Sequence, residues 1–199
     1  MNKVKIVTFT AGRSDFGIML NLLKKIEKNK KFEQNIVIGP AHQLKVFGNT
    51  KNEILKNQFK KITYINKNFY KSKTQNTSFL ISKIIYFTSK FLEKNKFDAA
   101  IILGDRYEMF SFSIACMNYK IPIVHLGGGS ITLGSLDDIY RNCISNMSSL
   151  HLVETAEHKN NLINKGIKKN IHIIGAPALE EINKKNKNLK FKKLFDEKK

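Results

Sequence analysis

The chain has 199 residues, 42% of them hydrophobic, a formal net charge of +19 and two cysteines, Cys116 and Cys143. That length is about one domain, and that apolar content suffices for a core, which excludes a disordered tail despite the charge. Two cysteines with no further Cys or His at ligand spacing exclude a disulfide framework and a zinc module; with no apolar run of membrane-spanning length, they point to a cytoplasmic protein.

Met1 to Val7 is too short in apolar stretch for a signal peptide and reads directly as a strand. Val4 to Phe9 is the first buried strand, followed by a loop from Thr10 to Gly17. Ile18, Leu22, Leu23 and Ile26 then repeat at helical spacing. Phe32 to Ile38 predicts a second strand, ended by Gly39-Pro40. A short helix over Asn52 to Gln58 leads to a strand at Ile62 to Ile65, and residues 66–76 read as a polar, mobile loop. Phe79 to Leu92 is a helix with Ile81, Ile84, Ile85, Thr88 and Leu92 inward.

Ala99 to Leu103 is a continuous apolar strand. Gly104-Asp105-Arg106-Tyr107-Glu108 opens the next helix, which runs to about Asn118. Ile121 to His125 is a strand, Gly127 to Ser130 a loop, and Leu136 to Met147 a helix. Leu150 to Val153, a helix over 155–165 ending at Gly166, and a strand at Ile171 to Ile174 complete the pattern. Residues 1–182 read as one domain, and the Lys/Asn-rich tail, 183–199, as a linker or frayed helix. Strands alternate with helices, and most strands are continuous apolar runs. This predicts an α/β fold with a doubly wound parallel sheet, Rossmann-like.

The basic excess is mostly composition. Lysine supplies 32 of the 35 basic residues and is scattered among frequent Asn and Ile, as AT-rich codons produce. No stripe of lysines interleaves with aromatics, so no nucleic-acid groove is expected. Against that background the three arginines, Arg13, Arg106 and Arg141, are informative. Their planar fork binds phosphate or carboxylate in a way lysine cannot copy.

In a doubly wound sheet ligands bind beyond the carboxyl ends of strands. Arg13, Asp105, Arg106, His125, the triple glycine and the Asp137-Asp138-Arg141 segment all fall in loops or helix starts on that rim. Gly12 to Gly17 is neither a Walker A loop nor a Gly-x-Gly-x-x-Gly fingerprint. It suits either an anion at a helix start, with Arg13 adding donors, or a turn capped by Asp15. Asp105 is either an N-cap or a site acid/base, and Glu108, one turn on, can pair with Arg106. His125 is open between structural and functional roles beside Gly127 to Gly129, which allow close backbone approach. Asp137 and Asp138 read as helix N-terminal residues with Arg141 one turn later. His42, His151, His158 and His172 read as ordinary core or surface residues, and both cysteines as buried and inert.

Together Gly12–Gly17, Gly104–Glu108, His125–Gly129, Asp137–Arg141 and Gly175-Ala176-Pro177 resemble, in order and spacing, the UDP-N-acetylglucosamine 2-epimerases. The likeness covers about residues 3–182 and is closest to the hydrolysing branch that serves sialic- or legionaminic-type sugars. His42-Gln43-Leu44 with Phe47 to Thr50 also fits. The resemblance implies the N-terminal domain of a two-domain, glycosyltransferase-B-like architecture with the site in the interdomain cleft. It implies a UDP- or GDP-linked sugar substrate, no metal and no redox cofactor. Family members are often homodimers, and no nucleic-acid or membrane partner is implied. Asp105 and Asp138 would be acid/base or sugar-orienting carboxylates, Arg13 would lie near the diphosphate, and Asp15, Arg106, Glu108, His125, Gly128, Gly129 and Arg141 would bind substrate or support the pocket.

Two departures stand out. Gly127 to Ser130 carries no carboxylate where the family has one, and losing an acid/base group costs roughly 10²–10⁴-fold in rate. The family's second domain, with a catalytic His, has no counterpart in these residues. A truncated or split epimerase is therefore expected, with a degenerate, non-catalytic sugar-nucleotide binding module as the alternative.

Overall fold

The computed structural model describes residues 2–48, 50–70 and 76–180. The expected tail at 183–199, and residues 71–75 of the expected mobile loop, lie outside them. The elements are β1 (Val4–Thr10), α1 (Arg13–Lys28), β2 (Phe32–Ile38), α2 (Lys51–Leu55), β3 (Ile62–Tyr64), α3 (Thr77–Lys94), β4 (Ala99–Leu103), α4 (Tyr107–Asn118), β5 (Ile123–Leu126), α5 (Leu136–Met147), β6 (Leu150–Val153), α6 (Ala156–Asn164) and β7 (Ile171–Ile173). The seven strands form one sheet in the order β3-β2-β1-β4-β5-β6-β7. Every pairing is parallel.

The apolar strand runs have a simple cause: both faces of the sheet are covered. Side chains alternate across each strand. On one face Ile6, Ile36, Ile38, Ile101 and Leu103 pack with Phe16, Met19, Leu23 and Ile26 of α1. On the other, Val7, Phe9, Val37, Ala100 and Ile102 pack with Ile84 of α3, Met109 and Phe112 of α4 and Ile144 of α5. Phe9 stacks on Phe112 with ring centroids 4.9 Å apart, pinning α4 to the central strand. Truncating such a buried ring costs about 3–5 kcal/mol. The doubly wound parallel sheet expected from the sequence is thus present.

Several boundaries differ from expectation, among them the end of the short second helix at Leu55 and not Gln58, and three have a local cause. The segment Thr10 to Gly17 is mostly helix, because α1 starts at Arg13. Asp15 accepts hydrogen bonds from the N–H groups of Ala11 and Gly12 and so fixes the helix start in place of a loop. The third helix begins at Thr77, two residues early, where the Asn76 side chain accepts from the Phe79 N–H. β5 begins at Ile123 rather than Ile121. Pro122 has no N–H to give the ladder, although its carbonyl accepts from Ala100 N. Among the described residues no helix is long and apolar enough to cross a membrane.

Candidate functional site

The chain runs outward from β1 to β3, then returns to place β4 beside β1 and builds the other half of the sheet. The loops leaving β1 and β4 therefore diverge to opposite faces, which opens a crevice at their carboxyl ends. A cavity of about 240 Å³ lies there. It is lined by Ser14 and Asp15 after β1, Gly104, Asp105 and Arg106 after β4, Gly127 and Ser130 after β5, Arg141 of α5, and Glu154 and His158 after β6. An adjoining cavity of about 660 Å³ shares Ser14 and Arg106 and adds Gly12, Arg13, Ala41, Phe47 and Tyr107.

Arg141 organises the first cavity. It is buried, and its guanidinium donates to Ser130 O at 2.8 Å, Thr132 Oγ1 at 3.1 Å and Asp138 Oδ1 at 3.1 Å, and pairs with Asp105 Oδ2. One planar fork thereby joins the β4 turn, the loop after β5 and the first turn of α5. A lysine, with one ammonium, could not hold all four acceptors. Asp138 also accepts from Thr132 N and Asn142 Nδ2, each at 3.2 Å, so both of its oxygens are engaged.

A second chain of contacts fixes the β1–α1 turn. Asp15 is buried and accepts from Ala11 N at 2.7 Å, Gly12 N at 2.8 Å and Thr10 Oγ1 at 2.8 Å. Burial pushes its pKa above the usual carboxylate range, and these hydrogen bonds pull against that. The Thr10 hydroxyl proton goes to Asp15, so Thr10 accepts from His42 Nε2 at 2.9 Å. With Nε2 protonated, His42 Nδ1 accepts from the Thr50 hydroxyl at 2.6 Å. Burial holds the His42 pKa down at about 4, so the ring is neutral. This Thr50–His42–Thr10–Asp15 relay ties the segment after β2 to the helix that presents Arg13.

The remaining arginines are the accessible cations. Arg106 donates to both oxygens of Glu108, Nε at 3.1 Å and Nη2 at 2.7 Å, and Glu108 is almost fully buried. That pairing holds the Arg106 guanidinium protonated more firmly than usual. Arg13 is exposed and pairs with Glu53 at 3.5 Å. An exposed pair of this kind is worth about 1 kcal/mol or less, so Arg13 is readily recruited by an anion.

His125 lies under the loops. Its Nε2 donates to the Gly104 carbonyl at 2.9 Å, which leaves Nδ1 to accept from Ser145 Oγ at 3.0 Å. Full burial draws its pKa down to about 4. A Cβ on Gly128 would sit 3.0 Å from His125 Nδ1 and 3.0 Å from Ser145 Oγ. A Cβ on Gly129 would fall 2.1 Å from the His158 carbonyl oxygen, at a φ of +81°. These two glycines let the loop lie flat on His125 and α6, and Asn161 Nδ2 donates to Gly129 O at 2.9 Å to hold it there.

Of the residues singled out in the sequence, Asp15, Asp105, Arg106 and Arg141 line one cavity, and Arg13 lines its neighbour. Asp138, Glu108, His125, Gly128 and Gly129 stand behind that lining and hold those residues in place. Three contributors were not foreseen. His42 stands in a stretch that fits the family, but its place in the relay gives no local signal, because it depends on Thr10, 32 residues away. Glu154 and His158 carried a readable one, since Glu154 directly follows a strand in the way Gly104-Asp105 does. Among the described residues, no group of three or more His, Cys, Asp or Glu is placed to hold a metal ion.

Residues 24–198 match the family model described as UDP-N-acetylglucosamine 2-epimerase. The GDP/UDP-N,N'-diacetylbacillosamine 2-epimerase (hydrolyzing) of Campylobacter jejuni is 38% identical over 195 residues, covering 94% of this chain and 50% of that protein. The polysialic acid biosynthesis protein P7 of Escherichia coli is 33% identical, over 96% of this chain and 51% of that protein. The chain thus spans about half the length of the curated relatives it matches. The fold matches that of UDP-GlcNAc 2-epimerase from Neisseria meningitidis bound to UDP-GlcNAc, with a TM-score of 0.79 at 22% identity, over 96% of this chain and 52% of that one. By the extent of the model match and by these relatives, the chain belongs to the UDP-N-acetylglucosamine 2-epimerase family.

Proposed function

We propose that this chain forms the sugar-orienting and diphosphate-binding wall of a hydrolysing sugar-nucleotide 2-epimerase acting on a UDP- or GDP-linked N-acetylhexosamine in the cytoplasm. The observation that carries this reading is the polarity of the crevice. Arg13 lines the larger cavity, and Arg106 and Ser14 line both. Asp105 and Arg141 line the smaller one, backed by Asp138. Cations beside a helix N-terminus suit a diphosphate. Carboxylates held by a buried guanidinium suit a neutral, hydroxyl-rich sugar.

In this reading a base removes the C2 proton while the C1–O bond to the nucleotide diphosphate breaks, with its electron pair leaving on the phosphate oxygen. The C1–C2 unsaturated sugar then takes up water, OH at C1 and H at C2 on the opposite face. Asp105, with its Oδ2 bound to Arg141, orients the sugar ring, and Arg13 and Arg106 take up charge on the departing diphosphate. Asp138 acts through Arg141. The counterpart of the relatives' remaining half would close the crevice, and residues 1–182 act as one domain.

Full-length enzyme containing this chain, incubated with UDP- or GDP-N-acetylglucosamine in deuterated water, is expected to release nucleotide diphosphate and a C2-inverted free sugar with one deuterium at C2. Tight binding with no release would instead favour a binding module, the reading supported by the acid-free Gly127–Ser130 loop.

A further inference from the structure

Three carboxylates line the first cavity: Asp15, Asp105 and Glu154. Two are committed. Asp15 uses both oxygens on the β1–α1 turn, and Asp105 Oδ2 is held by Arg141. Glu154 is different. It is half-buried at the carboxyl end of β6, lines the cavity, and among the described residues its side chain has no hydrogen bond or ion pair. His158, four residues on, lines the same wall. Its Nδ1 is shielded from solvent and has no hydrogen-bond partner. A shielded ring nitrogen without a partner calls for an explanation, and beside a free carboxylate on a cavity wall a ligand group supplies one.

The two groups share their cavity with Asp105 and with Arg141, whose guanidinium is already committed, whereas the exposed Arg13 lines only the adjoining cavity. A free carboxylate repels phosphate and accepts hydrogen bonds from hydroxyl and amide N–H groups. Resting on the function proposed above, we infer that Glu154 and His158 form the sugar-recognising wall of the site. Glu154 accepts from the polar substituents of the hexose, and His158 Nδ1 meets a second one. The acid-free loop Gly127–Ser130 leaves this wall to β6 and α6.

The test is calorimetric titration of the protein and of its E154Q, E154A and H158A variants with UDP-N-acetylglucosamine and with UDP, repeated with the guanosine pair. The sugar nucleotide is expected to bind the Glu154 variants about tenfold or more weakly, a loss typical of a hydrogen bond to a charged group. UDP is expected to hold within about twofold, the limit of a contact it does not make. H158A should shift the same ratio in the same direction. Unchanged affinity for both ligands in E154A overturns the inference, as does an equal loss of both at an unchanged unfolding midpoint. If E154A is destabilised, the near-isosteric E154Q decides. A parent protein that binds neither pair takes down the functional reading and this inference with it, whereas normal parent binding with unaffected variants takes down this inference alone.

Discussion

His42 and His125 are buried, neutral and hydrogen-bonded on both ring nitrogens, each with its pKa drawn down to about 4. In the unfolded chain they titrate near 6.5. Between those values the unfolded state binds more protons, so stability rises with pH and is lost as pH falls from about 6.5 towards 4. Each histidine contributes up to about 3 kcal/mol to that loss. Thermal unfolding across this window is expected to show a falling midpoint, and His42→Gln to flatten its share of the slope. Asp15, with its raised pKa, works in the opposite sense at the acid end, so the comparison with the variant isolates the histidine. Arg141 makes the second residue-scale case. Arg141→Lys keeps the charge but cannot reach Ser130, Thr132, Asp138 and Asp105 together. We expect a loss of about 2 kcal/mol in urea unfolding, since hydrogen bonds to charged groups are worth roughly 1.5–3 kcal/mol each and lysine retains some. The importance of Arg141 was legible, because lysine had not replaced it. The role of His42 was not, because its relay runs through Thr10 and Thr50 and exists only once β1 and the segment after β2 are side by side.

At the scale of elements, the loop after β5 decides how well the rim is built. Gly129 and Gly134 both have positive φ, +81° and +75°, but their surroundings differ. A Cβ at Gly129 would collide with the His158 backbone, whereas Gly134 has nothing within 4 Å. Gly134→Ala is expected to cost about 1 kcal/mol, the backbone penalty alone. Gly129→Ala must also push the loop off α6, and we expect at least about 3 kcal/mol, beyond the range of most single substitutions. Chemical denaturation of both variants checks the contrast, and equal losses would contradict it. Element types were readable from apolar periodicity, including the fully buried central strands. The start of α1 was not, because a glycine-containing stretch with polar residues reads as a loop until Asp15 is seen to cap it. Pro122 likewise hid the true start of β5.

For the whole molecule, the charge of +19 belongs to the surface and not to the site. The crevice carries arginines and carboxylates. Lys5, Lys61, Lys94 and Lys96 surround a separate cavity of about 410 Å³ with Glu33 and Phe97. It lies at the other end of the sheet, since Lys5 and Glu33 are near the starts of β1 and β2. The sheet order explains the separation: the crossover between β1 and β4 places every rim motif at the carboxyl ends, however far apart in sequence. That convergence was readable from the strand–loop–helix alternation. The cavity's third wall was half readable: Glu154 follows a strand as Gly104-Asp105 does, but its place beside His158 on this cavity needs the position of β6 in the sheet.

The most direct test of the central claim is a titration of the isotopically labelled chain with UDP-N-acetylglucosamine, followed by backbone amide shifts. The crevice account expects changes at residues 11–15, 104–108, 127–130 and 154–158, with Lys5, Lys61, Lys94 and Lys96 silent. Shifts confined to those lysines would contradict it, since they would mean that the ligand follows the surface charge and that the arginine-lined rim is not the site.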